Sequence, residues 1–444
     1  MSGTVSAAPR PGGLPAPETQ AEHSKPEFRR FALLAVQLGF FVIAFRFVDL
    51  GNSAIFKLTC LIVIGFCISY WLPFRLKEPF FILYSLAGAY VLLDPVSATL
   101  LIAAGLVMFG ILRSALAYRW RVAAMIGLAA IFVYVRATHG LQIPKAFWPA
   151  FGTVFMFRMI IYIYDLKHSS QPAQLNEYLS YFFLLPGYIF VLFPIVDFHT
   201  FRKSYFKRDI HTVAQTGIWW MFRGTTHLLA FQYLVRYGLL HTVGPGKGLL
   251  ASRIVLAYFA YWPVSGSHHL IVGMLRLFGY DLPEAHRRYL LAHSVLDFWR
   301  RINVYRREFY IKIFYLPLYF KIRRGGELRA QLISTAVVFV ATWATHVAQY
   351  FWNGTPLFSF GEAFFWGVFG AFAMVNVWIE YQHKKHRPET DWASRIRKVA
   401  QIAAVFVFVA SLRYSREIDW AKLGNRLVPG LHLKTAAPAG PTKE

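Results

Sequence analysis

The sequence predicts an all-α integral membrane protein, a multi-pass helical bundle of about ten to twelve membrane segments. Three observations predict it. Hydrophobic residues make up 56% of the 444 residues and aromatic residues 18%; only 16% are charged, where soluble domains carry roughly a quarter. Apolar runs of membrane-helix length recur along the chain, and no repeat of fixed period underlies them.

Residues 1–27 are rich in Pro, Gly, Ala and Ser and hold no apolar run, so a disordered tail is expected there and no cleavable signal. The first run, 31–47, follows Arg29 and Arg30, which favours a cytoplasmic N-terminus. Further runs lie at 54–71, 80–93, 96–112, 122–135 and 146–164. Asp94-Pro95 divides what would otherwise be one long segment. Several are short enough to be tilted, re-entrant or buried. Cys60 and Cys67 share one helical face and read as small core residues, since a disulfide within one helix is geometrically implausible. Asp165 reads as a helix-end anchor beside Lys167 and His168.

Residues 178–196 carry Pro186-Gly187 and Pro194, which predicts a broken helix lining the interior. Asp197 and His199 follow, without the further ligands a metal site needs. Long apolar stretches at 216–240 and 249–277 hold Arg223, His227, Ser265, His268 and His269, for which a structural or gating role is favoured over direct catalysis. The last runs are 332–351, 362–379 and 399–412, with a basic link at 383–398. The membrane domain is therefore placed at 28–415, between the tail 1–27 and a polar tail 416–444.

The stretch 297–354 carries the most chemistry. It opens with DFWRRINVYRREFYIKIFYLP (297–317), too basic to span and aromatic enough to lie at a membrane interface or pack into the bundle. It ends in LISTAVVFVATWATHVAQYFWNG (332–354), where His346 stands in an apolar run and needs a partner. Helical spacing puts Thr342, Trp343, Gln349, Tyr350 and Asn353 on the face of His346. The same spacing puts Trp299, Asn303, Arg306 and Tyr310 together on the earlier segment, which makes Asn303 and His346 two polar groups that could meet inside a bundle.

Residues 298–317 resemble the signature of the membrane-bound O-acyltransferase family, whose bacterial D-alanyl and polysaccharide acetyltransferase branch carries FWRRWHISLSxWFRDYxYIPLGG. Asn303 falls where that branch has His, and His346 resembles the family's His in a later apolar helix. FRMIIYIYDLKHSS (157–170) and EYLSYFFLLPGYIFVLFPIVDFHTF (177–201) are similar to two upstream segments, so the resemblance covers 151–381. The chain departs from the branch in reading WATHVAQYFWNG in place of WHG, and FPI (193–195) in place of GPI.

The resemblance implies an O-acyltransferase moving an acyl group from an acyl-CoA or acyl-carrier thioester to a hydroxyl of a glycan, lipid or small molecule. Such a transfer needs a base for the hydroxyl proton and a stabiliser for the oxyanion. His346 is the expected general base and Asn303 the positioning group, with Trp299, Arg306, Tyr310, Trp343 and Tyr350 as substrate-binding residues around a polar central tunnel. No metal and no tightly bound cofactor is expected. Expected partners are the thioester donor, the acceptor, membrane lipids and a carrier or envelope protein; the expected location is a bacterial cytoplasmic membrane. The excess of 47 Lys and Arg over 22 Asp and Glu fits loops facing anionic lipid, with a share for CoA phosphates or an acidic carrier. Nucleic-acid binding is set aside, since the basic residues are scattered between apolar runs. The alternatives are a transporter of a lipid or polyprenyl-linked substrate, without the paired halves transporters often show, and a non-catalytic subunit of an envelope polysaccharide complex.

Overall fold

The computed structural model describes residues 17–47, 53–138, 141–168, 174–190, 194–234, 247–354, 360–383 and 392–417. The described chain is mostly helical, with no strand beyond one isolated antiparallel bridge, Tyr205 to Tyr280, among the described residues. Seven helices among the described residues are long and apolar enough to cross a membrane, so the chain is an all-α multi-pass membrane protein. Two compact units divide it, Met1–Thr225 with Ser267–Glu284, and Thr226–Gly266 with Ala285–Glu444.

The first unit opens with α1 (Pro17–His23), α2 (Phe28–Phe47), α3 (Ser53–Trp71), α4 (Phe74–Leu92), α5 (Pro95–Arg113) and α6 (Tyr118–Thr138). It continues through α7 (Phe147–Pro149), a π-helical stretch Ala150–Met156, α8 (Phe157–Lys167), α9 (Leu175–Phe182) and α10 (Phe198–Ser204). Next come α11 (Ile210–Tyr233), α12 (Lys247–Phe259) and α13 (Tyr261–Leu277). The N-terminal part of α11 and the C-terminal part of α13 belong to this unit. The helix α1 falls where disorder is expected: Gln20 donates to the Tyr205 carbonyl at 3.0 Å and His23 Nδ1 to that of Phe206 at 2.9 Å. These two tertiary bonds tie down a stretch whose composition alone favours no fold.

Local chemistry sets the ends of these helices. Asp94 caps α5, accepting from the Ser97 backbone at 2.9 Å, with Pro95 at the first position, where a missing N–H costs nothing. Buried Lys77 of α4 donates to the carbonyls of Ser69 and Tyr70 at the C-terminus of α3, where a cation is favoured. The expected break after α9 is present as a short 3-10 turn, Leu185–Tyr188. Around it Tyr178 donates to the Gly105 carbonyl at 2.7 Å and Tyr181 to that of Val196 at 2.6 Å. Gly217 and Gly273 let α11 and α13 touch backbone to backbone: a Cβ on Gly217 would stand 2.7 Å from the Gly273 carbonyl oxygen.

The second unit holds α12 and the start of α13, then α14 (Val295–Arg301), α15 (Val304–Tyr310) and α16 (Leu316–Ile322). It ends with α17 (Glu327–Asn353), α18 (Phe360–Gln382) and α19 (Trp392–Tyr414). The basic segment is therefore not one helix. α14 stops at Arg301, and Asn303 takes a left-handed conformation, φ 45° and ψ 63°, before α15 begins. Asn tolerates this region better than most side chains. A π-helical stretch, Ile311–Tyr315, joins α15 to α16 just ahead of Pro317, which lacks the N–H a regular turn needs. The core of this unit is aromatic, with Tyr258, Tyr289, Phe298, Phe339, Phe365 and Phe369 buried together. Arg300 holds α14 to α18 through both oxygens of Glu380, at 2.8 and 2.7 Å, and Asn376 accepts from the Leu296 backbone at 3.1 Å.

Candidate functional site

The site belongs to the second unit and is built on α15, α17 and α18. Arg306, in the first turn of α15, extends its guanidinium to α17: Nη1 lies 3.2 Å from His346 Nε2, and Nη2 donates to Gln349 Oε1 at 3.1 Å. His346 and Gln349 are three apart on α17, so one planar fork meets both. Tyr310, further along α15, shares a hydrogen bond with Thr345. Trp366 of α18 lies against the His346 ring, with ring centroids 4.8 Å apart and planes at 31°.

Behind that wall lies a charged cluster. Glu362, buried in the first turn of α18, accepts from Tyr350 at 2.6 Å and from Trp366 Nε1 at 3.1 Å, and pairs with Arg416. Arg416 also donates to Tyr350. One carboxylate thereby fixes the indole beside His346, the phenol one turn further along α17, and the chain just after α19.

Among the described residues no hydrogen bond joins Asn303 to His346. Its Oδ1 caps α15 by accepting the Arg306 N–H at 3.2 Å, and its own N–H donates to Nδ1 of buried His286 at 3.2 Å. The left-handed turn at Asn303 is the physical reason: it ends the continuous face that a single helix from Trp299 to Tyr310 would present. Trp299 packs on Phe339 with centroids 5.5 Å apart and belongs to the aromatic core. Arg306, Tyr310 and Tyr350 gather about α17 near His346, and half-buried Trp343 lies one turn before it. Three participants escape a reading by segments: Glu362, Trp366 and Arg416. An acid opening an apolar run, with Trp four residues on, is the trace Glu362 leaves in the sequence.

The ionisable residues of α11 and α13 sit in paired arrangements. In the first unit Glu284 bonds Arg223 and lies 3.5 Å from His269 Nε2. Arg276 stacks over Trp220 at 4.5 Å and pairs with Asp281, whose carboxylate also takes Arg208 at 2.6 and 2.8 Å. Burial would raise the carboxyl of Asp281, but the Arg208 bond and the charges of Arg276 and Arg208 hold it below the ordinary aspartate range. Burial likewise opposes ionisation of Glu284, and the bond to His269 with the charge of Arg223 holds its carboxyl below the ordinary glutamate range. In the second unit His227 stacks on Trp262, centroids 6.0 Å apart. Among the described residues no three His, Cys, Asp or Glu side chains gather as metal ligands would.

No family model and no curated protein matches this chain.

Proposed function

We propose that this protein is an integral-membrane O-acyltransferase, moving an acyl group from a thioester donor to a hydroxyl of a glycan, lipid or small molecule. The observation that carries the reading is the meeting of Arg306 and His346, forty positions apart, on a membrane helix whose His is enclosed by Gln349, Trp366 and a glutamate-anchored wall. Titratable side chains at membrane depth are kept where chemistry or transport needs them. The resemblance of residues 298–317 to the acyltransferase signature supplies the reaction class.

In this reading His346 takes the proton of the acceptor hydroxyl as its oxygen attacks the thioester carbonyl. The tetrahedral oxyanion collapses, the C–S bond breaks, and the thiolate leaves with the proton His346 had taken. Arg306 supplies the charge facing the oxyanion. Asn303 is one step removed, a pivot that sets where Arg306 starts. A polar tunnel would admit a CoA or carrier thioester and the acceptor, and the bacterial cytoplasmic membrane is the proposed location. The transporter alternative draws on Arg223 and the histidines of α11 and α13; Arg223 and His269 converge on Glu284 instead of presenting open charge. Thiol release from an acyl-CoA panel by the purified protein, with His346→Ala alongside, tests the proposal.

A further inference from the structure

A guanidinium has donors and no acceptor, so the ring nitrogen facing Arg306, Nε2 at 3.2 Å, has to offer its lone pair. A neutral imidazole with its lone pair on Nε2 carries its proton on Nδ1. The only lone pair able to take a substrate proton is then the one Arg306 already covers. We infer, building on the acyl-transfer reading above, that Arg306 is a latch on His346: closed, it holds the ring as the Nδ1–H tautomer with Nε2 engaged, and Nε2 becomes a proton acceptor only once the guanidinium swings away.

The geometry shows what holds the latch, and the chemistry of its partners says what would open it. Closed, the guanidinium bonds two neutral acceptors of α17, the imidazole nitrogen and the Gln349 amide oxygen at 3.1 Å, among its contacts. Its starting position is fixed by the Asn303 cap on its own backbone N–H. Neutral acceptors are the weaker partners for a cation; a bond to an oxyanion is about twice as strong. A carboxylate, a phosphate or the oxygen of a polarised thioester therefore draws Arg306 off His346. The same movement frees the base and carries the cation toward the oxygen on which charge develops. Premature proton uptake at Nε2 is suppressed until such an oxygen arrives.

The tautomer is directly measurable, and no substrate is needed. Protein labelled with ¹⁵N-histidine is placed in lipid nanodiscs, and the His346 resonances are found by difference from His346→Ala. The expected wild-type spectrum has a protonated Nδ1 and an unprotonated Nε2. In Arg306→Met, which keeps the length of the stem and removes every donor, the dominant form should change to Nε2–H. A change of packing alone would not exchange the two nitrogens. A wild-type ring protonated on Nε2 overturns the latch without any variant, so the test stands even if Arg306→Met does not fold; an unchanged tautomer in a folded Arg306→Met overturns it too. A wild type in the Nδ1–H form that consumes no thioester would refute the acyl-transfer reading and leave the Arg306–His346 contact standing. An active enzyme with Nε2–H would do the reverse.

Discussion

Replacing Glu362 removes the acceptor on which three donors converge, Tyr350, Trp366 and Arg416. Its side chain is 7% exposed and that of Arg416 21%, so water compensates only in part. A charged hydrogen bond contributes about 1.5–3 kcal/mol and a neutral one about 1 kcal/mol, which puts Glu362→Ala near 3 kcal/mol of lost stability once partial resolvation of Arg416 is allowed. Tyr350 bonds Oε1 and Trp366 Oε2, so Glu362→Gln keeps a carbonyl oxygen for only one of the two neutral donors and should cost about 2 kcal/mol. Arg416→Met leaves a buried carboxylate without its cation and should cost about 3 kcal/mol, the low end for a buried pair because Arg416 is 21% exposed. Because these groups act on one another, the double variant Glu362→Gln/Arg416→Met should cost less than the sum of the singles by about 1.5 kcal/mol. Thermal unfolding of the purified variants in one detergent at fixed lipid content reads the differences. Strictly additive losses, or a Glu362→Ala variant as stable as the wild type, would refute the cluster as an interacting unit.

Other consequences follow from single positions. Gly217→Ala places a methyl 2.7 Å from the Gly273 carbonyl oxygen, with backbone on both sides, and should cost about 1–3 kcal/mol in a thermal melt, while Gly110→Ala, with nothing within 4 Å, should cost none. At Asn303, φ 45° makes Ala strained as well as cap-less, a loss of about 2 kcal/mol, whereas Asn303→Gly keeps the turn and should lose a few tenths; equal losses would deny the left-handed pivot. Asp281 has a folded pKa held below its unfolded value, so its contribution is full above the unfolded pKa of about 3.9 and fades as pH falls through the folded value. Asp281→Asn should therefore be less stable than wild type at pH 6–7, with the gap closing below about pH 4, read from melts across that range.

The membrane architecture was legible because it rests on composition and on the length of apolar runs, which no tertiary detail changes. Boundaries marked by local chemistry were legible too: Asp94-Pro95 caps α5, and Pro186-Gly187 breaks the chain where the sequence places a break. The expected count of about ten to twelve membrane segments was larger than the seven that meet both length and apolarity among the described residues. α4 shows why, since Arg75, Lys77 and Glu78 open it and Lys77 works there on the carbonyls of α3. The neighbourhood of His346 was half legible. Helical spacing identifies Gln349 and Tyr350, because i+3 and i+4 are fixed by one helix. It misplaces Asn303 and Trp299, because periodicity assumes an unbroken helix and one left-handed residue redirects everything before it. Glu362 and Arg416 meet across 54 positions, a pairing no local pattern encodes.

Thiol release from a panel of acyl-CoA donors, comparing wild-type protein with a His346→Ala variant of matched melting temperature, decides whether the chain transfers acyl groups through His346. The wild type should turn over a donor and the variant should lose at least about a hundredfold in kcat, the smaller end of what a general base contributes. A folded His346→Ala variant as active as the wild type would contradict that role of His346.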